Sequence, residues 1–279
     1  MDIEVNGLRL HVQDEGDGEP VLLLHGFPDS GRLWRHQVPA LTAAGFRAVA
    51  PDLRGFGESD RPEGVANYAM PLIVGDVLGV LDAAGIERAN VVGHDWGAAV
   101  GWALAAVMPT RVSRLVALTV GHPSGFFTDA MGQRERSWYM LFFQHEGLAE
   151  DALRRDDWHL FRQWARCQGD LDACIRDLDR PGALTAALNW YRANTPAEAF
   201  GAANPMPLPP VSCPVLGVWA ARDHFLGEAQ MLASPANCQA GWRYERIEDA
   251  GHWIPLDAPE QLNRLVLEFL AEDGGGGAG

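Results

Sequence analysis

The chain has 279 residues, of which 47% are hydrophobic and 10 are Trp, so the composition excludes a disordered protein and permits one large domain with an insertion. A formal net charge of −15 and a pI of about 4.9 exclude a basic footprint for DNA or RNA, and we interpret the acidity as a contribution to solubility. All 22 basic residues are Arg, which excludes Schiff-base chemistry on Lys, a pyridoxal-phosphate anchor and a P-loop.

The first 120 residues alternate between short apolar strands and helices. Asn6-Gly7 is a hairpin turn signal and joins a strand over residues 3–5 to a strand over residues 8–12. Further strands are predicted over residues 21–24, 47–50, 89–93 and 112–120, and helices over residues 30–44, 69–84 and 97–108. Apolar strands that alternate with helices predict an α/β fold, with a mostly parallel sheet covered on both faces by helices.

The alternation is interrupted between residues 121 and 210. This stretch contains no convincing strand, is rich in aromatic residues, and ends in the stiff connector NPMPLPP at residues 204–210. Strands then follow over residues 215–220 and 243–247, with helices over residues 227–233 and 259–271. We predict one core formed by residues 1–121 and 211–271, a helical cap inserted at residues 122–210, and a Gly-rich tail at residues 272–279 that is flexible or a remnant of cloning.

The sequence carries no signal for export, for a membrane anchor or for a metal. The four cysteines form no CxxC pair and are expected to be reduced core residues: Cys167, Cys174, Cys213 and Cys238. The N-terminus lacks a basic region before a long apolar run, and no apolar stretch approaches the length of a membrane span. We expect a cytoplasmic protein that binds neither nucleic acid nor membrane and needs no metal or organic cofactor.

Residues 91–97, with the sequence VVGHDWG, follow a predicted strand and precede a predicted helix. Glycines two residues before and after a central residue are typical of a nucleophile elbow, a strained turn that exposes the central side chain at the carboxyl end of the sheet. That residue is Asp95 where Ser is usual, and no GxSxG motif occurs elsewhere. The alternative is that Asp95 only caps the following helix, but a cap does not explain the flanking glycines.

A carboxylate nucleophile indicates displacement at an activated saturated carbon, because a carboxylate attacks carbonyl carbons poorly. The product is an alkyl ester of Asp95, and hydrolysis of that ester needs a base. His252 follows the last predicted strand and is the candidate base. His25 and His94 are rivals, but His94 adjoins the nucleophile and is expected to point away from it, while His25 ends an interior strand.

Asp223 follows the strand over residues 215–220 and is the candidate for the carboxylate that orients the base. The chain order of nucleophile, acid and base is the one expected for such an elbow, although Asp223 could instead be an acid of a surface loop. Ester hydrolysis also needs N–H donors for the oxyanion, and we assign these to the backbone of Phe27 and Trp96. Pro28 has no N–H and is expected to shape the turn.

These segments together resemble the α/β-hydrolase superfamily and, within it, the soluble epoxide hydrolases. The resemblance extends to about residue 270 and rests on HGFP at residues 25–28, PDLRGFGES at 51–59, GHDWG at 93–97 and GHW at 251–253. The motif that contains Asp95 is the most selective, since many superfamily members share the first two. The resemblance implies an α/β-hydrolase fold and the conversion of an epoxide to a vicinal diol. One departure is Gly31, where epoxide hydrolases often carry a pocket-lining aromatic residue, and it predicts a locally altered or wider pocket.

In epoxide hydrolases two tyrosines of the cap bind the epoxide oxygen, and the resemblance places that pair at Tyr139 and Tyr191. A phenol with a pKa of about 10 can protonate the opening ring and is itself protonated at neutral pH. Either residue alone could be ordinary aromatic packing, but the presence of both favours the functional interpretation. The aromatic cap favours an apolar epoxide. Four tryptophans are expected to line the pocket: Trp34, Trp138, Trp190 and Trp253.

Dehalogenation is the main alternative, since it uses the same aspartyl ester but expels halide. Haloalkane dehalogenases hold the halide with the Trp after the nucleophile and a second side-chain donor; Trp96 is present here, but Phe27 has no donor. Haloacetate dehalogenases tend to have Arg at the position of Trp96. A binding protein that has kept the fold is a third interpretation, but Asp95, Asp223 and His252 are all retained. The expected partner is a small epoxide; a dimer is compatible with the sequence but is not indicated.

Overall fold

The computed structural model describes residues 1–166, 168–202 and 207–272. Cys167, Ala203, residues 204–206 of the predicted connector and the predicted tail from residue 273 lie outside the described residues. Cys174 and Cys213 are buried, Cys238 is half-buried, and all three are free thiols. Within the described ranges, no helix is long and apolar enough to cross a bilayer.

Eight strands of the described chain form one sheet. They are β1 (Asp2–Val5), β2 (Leu8–Glu15), β3 (Glu19–Leu24), β4 (Phe46–Pro51), β5 (Ala89–His94), β6 (Val112–Leu118), β7 (Val215–Ala220) and β8 (Trp242–Ile247). Their order across the sheet is β1-β2-β4-β3-β5-β6-β7-β8. The pairings of β2 with β1 and with β4 are antiparallel, and all other pairings are parallel. Every residue of β5 and of β7 is buried, as expected for central strands covered on both faces. The predicted fold class is confirmed.

Twelve α-helices occur in the described ranges. They are α1 (Gln37–Ala43), α2 (Met70–Ala83), α3 (Trp96–Val107), α4 (Ala130–Arg136), α5 (Trp138–Phe142), α6 (Leu148–Trp164), α7 (Leu171–Leu178), α8 (Ala183–Asn194), α9 (Ala197–Gly201), α10 (Glu228–Ala233), α11 (Ile254–Asp257) and α12 (Pro259–Ala271). The backbone of α6 is not helical at residues 155–158. Helices α4 to α9 lie between β6 and β7, where the described residues form no strand, and we call them the cap. The domain boundaries at residues 121 and 211 stay predictions.

Most predicted elements are shifted by one to three residues at their ends, and two differ for a clear physical reason. The single helix predicted over residues 30–44 is a 3-10 turn over Gly31–Trp34 followed by α1. A continuous helix would place Pro39 in its interior, where the proline ring clashes with the preceding turn, whereas a start at Gln37 leaves Pro39 in the first turn. The strand predicted over residues 112–120 ends at Leu118, because Thr119 adopts a positive φ of 67°.

The carboxyl ends of four strands meet at one edge of the sheet. Leu24 of β3 pairs with Gly93 of β5, and Ala220 of β7 pairs with Ile247 of β8, so each pair of strands ends at the same level. The loops that leave these strands carry the predicted oxyanion donor, nucleophile, acid and base. Parallel strands bring such loops together because all of their carboxyl ends face one side.

Candidate active site

Asp95 occupies the sharp turn between β5 and α3 and has the backbone angles φ 53° and ψ −121°. This conformation is strained for a residue with a side chain, as predicted for a nucleophile elbow. A Cβ on Gly93 would overlap the carbonyl oxygen of Gly97, and a Cβ on Gly97 would overlap that of Leu24. Both flanking positions therefore require glycine. The Asp95 side chain makes no capping hydrogen bond to α3, so the alternative of a simple helix cap is not supported.

The two oxygens of the Asp95 carboxylate face different partners. Oδ1 accepts a hydrogen bond of 2.9 Å from the backbone N–H of Phe27. The backbone N–H of Trp96 also stabilises the carboxylate. Oδ2 lies 3.7 Å from Nε2 of His252, an ion-pair distance that is longer than a hydrogen bond. One oxygen thus occupies the predicted oxyanion site while the other faces the predicted base.

Asp223 orients the imidazole of His252. Nδ1 of His252 lies 2.9 Å from Oδ2 of Asp223, which makes Nδ1 the donor because a carboxylate only accepts. The other carboxylate oxygen, Oδ1, accepts backbone N–H groups from Phe225 at 2.7 Å and from Leu226 at 3.0 Å. Asp223 and His252 are both buried. Asp223 is therefore not an acid of the protein surface, and the structure brings the three predicted residues together.

The charges of the two carboxylates control the protonation of His252. Burial disfavours the imidazolium, but the nearby carboxylates of Asp223 and Asp95 outweigh burial and raise the pKa of His252 to about 10. Burial likewise disfavours the ionised form of Asp95, but its interactions with His252 hold the pKa of Asp95 below the ordinary value. At neutral pH, the candidate nucleophile Asp95 is ionised beside a positively charged His252.

The two alternative histidines, His25 and His94, both make hydrogen bonds with backbone groups. His25 is buried, its Nε2 accepts the N–H of Leu53 at 3.0 Å, and its Nδ1 lies 3.0 Å from the carbonyl oxygen of Gly26. Nε2 of His94 lies 2.8 Å from the backbone carbonyl of His252 and thereby supports the loop of the base. Burial lowers the pKa of His94 to about 4, so this ring is neutral and acts as a donor at that carbonyl.

The two predicted tyrosines lie side by side in the cap. Tyr139 is on α5 and Tyr191 on α8, their ring centroids are 5.8 Å apart, and both residues are buried. The ring centroid of Tyr191 lies 5.4 Å from that of Phe27 and 5.1 Å from that of Trp96. Phe27 and Trp96 are the two residues that supply the backbone donors around Asp95. Burial and the negative charge of Asp95 raise the pKa of each phenol well above its ordinary value. Both phenols therefore stay protonated at neutral pH.

An apolar cavity adjoins the nucleophile. Its walls include Asp95, Trp96 and Tyr191, together with apolar side chains from the core and the cap: Ala99, Val120, Phe126, Met140 and Leu226. Because these apolar walls surround only the Asp95 carboxylate, the Tyr191 phenol and the Thr195 hydroxyl, the cavity suits a small, mostly apolar ligand, and Tyr139 is not among its lining residues. Among the described residues no group of three His, Cys, Asp or Glu side chains is placed to hold a metal ion.

The four tryptophans that were predicted to line the pocket do not line this cavity. Trp34 is fully buried in the core, and Trp138 is 49% exposed on the outside of the cap. The indole N–H of Trp190 donates to the carbonyl oxygen of Arg54 at 3.1 Å, and that of Trp253 donates to Asp29 at 2.8 Å. Trp190 and Trp253 nevertheless lie near the site, since their ring centroids are 5.8 Å from Trp96 and 5.1 Å from His252, respectively.

The expectation of a locally altered or wider pocket at Gly31 stays a prediction. The N–H of Gly31 donates to Oδ1 of Asp52 at 2.7 Å. A Cβ at this position would lie 3.1 Å from both the carbonyl oxygen of Ala50 and that carboxylate. Gly31 therefore fits a close packing against the loop after β4, and it does not line the cavity.

Asp29 is a buried carboxyl group that the sequence analysis did not identify. It directly follows the HGFP segment, and its Oδ2 accepts the indole N–H of Trp253 at 2.8 Å. The thiol of Cys174, on α7 of the cap, lies 3.6 Å from Oδ1. Burial raises the pKa of Asp29 from 3.8 to about 6. The sequence signal that could have identified Asp29 is its position directly after the HGFP segment, in which Phe27 had already been assigned a role.

We expect Asp29→Asn to increase the free energy of unfolding at pH 7.5. Because the folded-state pKa is raised to about 6, Asp29 stabilises the fold below the unfolded pKa of 3.8, and that stability is lost as the pH rises through 6. Asparagine can still accept from Trp253 without burying a charge, so the gain should reach about 2–3 kcal/mol at neutral pH. Urea unfolding of the wild type and of Asp29→Asn at pH 4.5 and 7.5 measures this gain in the free energy of unfolding. Asp249→Asn, at an exposed side chain, is the control, and an equal pH dependence in wild type and Asp29→Asn would contradict the prediction.

Comparison with known proteins identifies the family. A family model for the alpha/beta hydrolase fold matches residues 19–259. The AB hydrolase superfamily protein YfhM of Bacillus subtilis is 34% identical, with 96% of each chain covered. Epoxide hydrolase A of Mycobacterium tuberculosis is 33% identical, again with 96% of each chain covered. The crystal structure of the Bacillus megaterium epoxide hydrolase with an inhibitor is similar at a TM-score of 0.87 and 28% identity, covering 98% of this chain and 100% of that chain. The predicted family is confirmed, and the chain belongs to the epoxide hydrolase family of the α/β-hydrolases.

Proposed function

We propose that this protein hydrolyses apolar epoxides to vicinal diols through an alkyl ester on Asp95. The observation that carries the proposal is that the two oxygens of this carboxylate face different partners. Oδ1 accepts the Phe27 N–H at 2.9 Å, and Oδ2 faces His252 at 3.7 Å. A carboxylate held in this way can attack with one oxygen while the other already lies where negative charge will develop in the second step.

In the first step Oδ2 of Asp95 attacks a carbon of the epoxide ring. The ring C–O bond breaks, its electron pair passes to the ring oxygen, and a phenol of Tyr139 or Tyr191 donates the proton that this oxygen needs. The raised pKa of both phenols keeps that proton in place before the reaction. The product is a neutral ester that carries a hydroxyl group on the neighbouring carbon.

In the second step water attacks the ester carbonyl carbon, and His252 takes a proton from that water. Ester formation removes the negative charge of Asp95, one of the two charges that raise the pKa of His252 to about 10. The pKa of His252 therefore falls once the ester has formed, the imidazolium gives up its proton to replace the one that the phenol lost, and the neutral imidazole becomes available as a base. The N–H groups of Phe27 and Trp96 stabilise the negative charge on Oδ1, the ester C–O bond breaks, and His252 returns a proton to the departing diol.

The cavity defines the substrate class. Its walls are mostly apolar, and its polar lining residues are Asp95, Tyr191 and Thr195. An alkyl or aryl epoxide can bury its hydrocarbon part against Phe126, Met140 and Leu226, whereas a charged substituent there would lose its hydration without a partner.

One observation keeps dehalogenation as a second candidate. The indole N–H of Trp96 is buried and makes no hydrogen bond of ordinary geometry within the described residues, although it lies close enough to the Tyr191 phenol to lower the pKa of that group. A halide site requires such a donor. The second donor, however, would have to come from the position of Phe27, whose side chain has none. The cavity supports an epoxide better, because the Tyr191 phenol in its wall can transfer a proton and a halide needs no proton.

Product formation by the wild type distinguishes these functions. The protein is incubated with styrene oxide, 1,2-epoxyhexane, 1-bromobutane or chloroacetate, and diol and halide are quantified. We expect diols from the two epoxides and no halide above the uncatalysed rate. The Asp95→Asn variant should lose about 1,000-fold or more of the diol-forming rate, and Asp249→Asn should keep it. Halide without diol would establish a dehalogenase, and no product from any compound would favour a binding protein.

A further inference from the structure

Gln133 is a buried side chain of the cap that the proposed mechanism does not use. It lies on α4 and is only 3% exposed. Its Nε2 donates to the carbonyl oxygen of Phe225 at 2.9 Å and to Oγ of Ser137 at 2.8 Å. Its Oε1 accepts the N–H of Gly227 at 2.9 Å. One amide thus connects the cap with two backbone groups of residues 223–227, which we call the acid loop.

The acid loop holds the carboxylate that orients the base. Oδ1 of Asp223 accepts the N–H of Leu226 at 3.0 Å. That N–H and the carbonyl oxygen of Phe225 belong to the same peptide unit. The hydrogen bond from Gln133 to the carbonyl therefore fixes the plane of the peptide whose N–H binds Asp223. It also polarises the peptide, which strengthens the N–H as a donor.

The acid loop also contacts His252 through the side chain of Phe225. The ring of Phe225 lies 5.1 Å from the imidazole of His252 and 5.9 Å from the ring of Tyr139. Arg136, one helical turn after Gln133, donates from Nη1 to the carbonyl oxygen of Asp223 at 2.9 Å. The position of the acid loop is therefore set from the cap, although Asp223 itself belongs to the sheet domain.

We propose that Gln133 is a positioning residue that keeps Asp223 aligned with His252 during hydrolysis of the ester. This inference rests on the proposed function. Attack by Asp95 on the epoxide does not need a base, so loss of Gln133 should leave alkylation nearly intact. Hydrolysis of the ester needs an aligned and basic His252, so the same loss should slow the second step.

Two substitutions separate positioning from packing. Gln133→Met has a similar volume and shape but neither donates to Phe225 nor accepts from Gly227. Gln133→Glu keeps an acceptor for Gly227 and, when protonated, a donor for Phe225; burial beside a carbonyl oxygen favours that protonated form. Asn90→Leu is the matched control, because Asn90 is a buried amide at the amino end of β5, where it bonds to Glu19 at 2.8 Å.

The experiment follows both steps in the full-length protein with styrene oxide, by rapid quenching and intact mass. We expect Gln133→Met to alkylate within about 3-fold of the wild-type rate and to hydrolyse the ester about 10–100-fold more slowly, so that ester accumulates. Asn90→Leu should keep the wild-type ratio of the two rates. For Gln133→Glu, the hydrolysis rate relative to wild type should rise as the pH is lowered, because protonation restores the donor.

Several results would overturn this inference. If Gln133→Met slows both steps by one factor, its role is structural. If Gln133→Met does not fold, the pH dependence of Gln133→Glu decides, and a ratio to wild type that does not change with pH contradicts positioning. If the wild type forms no ester at all, the proposed function fails, and the inference fails with it. If the wild type forms the ester and both Gln133 variants keep the wild-type ratio of the alkylation and hydrolysis rates, the inference is contradicted while the proposed function stands.

Discussion

His252→Gln should accumulate a covalent adduct on Asp95 when it is mixed with styrene oxide. The variant keeps Asp95 and both phenols, so the ester can form, but it has no base to activate water. Loss of a positioned base typically costs about 100- to 10,000-fold in rate, which makes the ester long-lived enough to be weighed. Intact-mass measurement should show a gain equal to the whole epoxide, because ring opening expels no atoms.

The size and the site of that adduct distinguish the alternatives. A haloalkane would add only its alkyl group, since halide leaves. Adducts from 1-bromobutane together with none from epoxides would therefore reverse the proposal in favour of a dehalogenase. The double variant Asp95→Asn/His252→Gln is the control and should stay unmodified, and peptide mapping of the single variant should place the added mass on Asp95. An adduct that persists in the double variant would assign another nucleophile.

Replacing both cap tyrosines with phenylalanine should nearly abolish alkylation of Asp95 by an epoxide. The double variant keeps both rings, which are 5.8 Å apart in the buried aromatic cluster, and removes only the two hydroxyl groups. The ring oxygen would then leave as an alkoxide without a proton. We expect the single-turnover alkylation rate to fall by about 100- to 10,000-fold, with a smaller loss in each single variant because one phenol remains.

Tyr244→Phe is the matched control for the tyrosine experiment. Tyr244 lies on β8, and its hydroxyl donates to Glu228 at 2.7 Å, so its loss should leave alkylation unchanged. Circular dichroism checks that every variant is folded. Near-normal alkylation in the double variant would remove Tyr139 and Tyr191 from the mechanism and would leave the indole N–H of Trp96 as the candidate donor to the epoxide oxygen.

Features with a local sequence signature were predicted correctly. The hairpin at Asn6-Gly7, the apolar strands and the turn at Asp95 depend on the conformational preferences of a few adjacent residues. Chain order then placed Asp223 and His252 after neighbouring parallel strands, which must end on the same side of the sheet. The register of β7 with β8 confirms that arrangement, because Ala220 and Ile247 are paired.

Features that depend on which neighbour a side chain faces were not predicted. Four tryptophans were assigned to the pocket from their aromatic character, but Trp34 is in the core and Trp138 faces outward. Composition marks a residue as able to line an apolar cavity, whereas the rotation and packing of its helix decide whether it does so. Asp29 and Gln133 were missed for a related reason, because the partners on which their roles depend, Trp253 and Phe225, are more than 90 residues away in the chain.

By itself the sequence determined the fold class, the carboxylate at the elbow and the chain order of the candidate nucleophile, acid and base, because these follow from local turn chemistry and from strand alternation. Only the tertiary structure decided that Oδ1 of Asp95 lies on the Phe27 N–H, that two carboxylates raise the pKa of His252 to about 10, and that the cap contacts the acid loop through Gln133. Such properties depend on distances between atoms from remote segments and on their removal from water. A sequence motif specifies neither the distances between these atoms nor their burial.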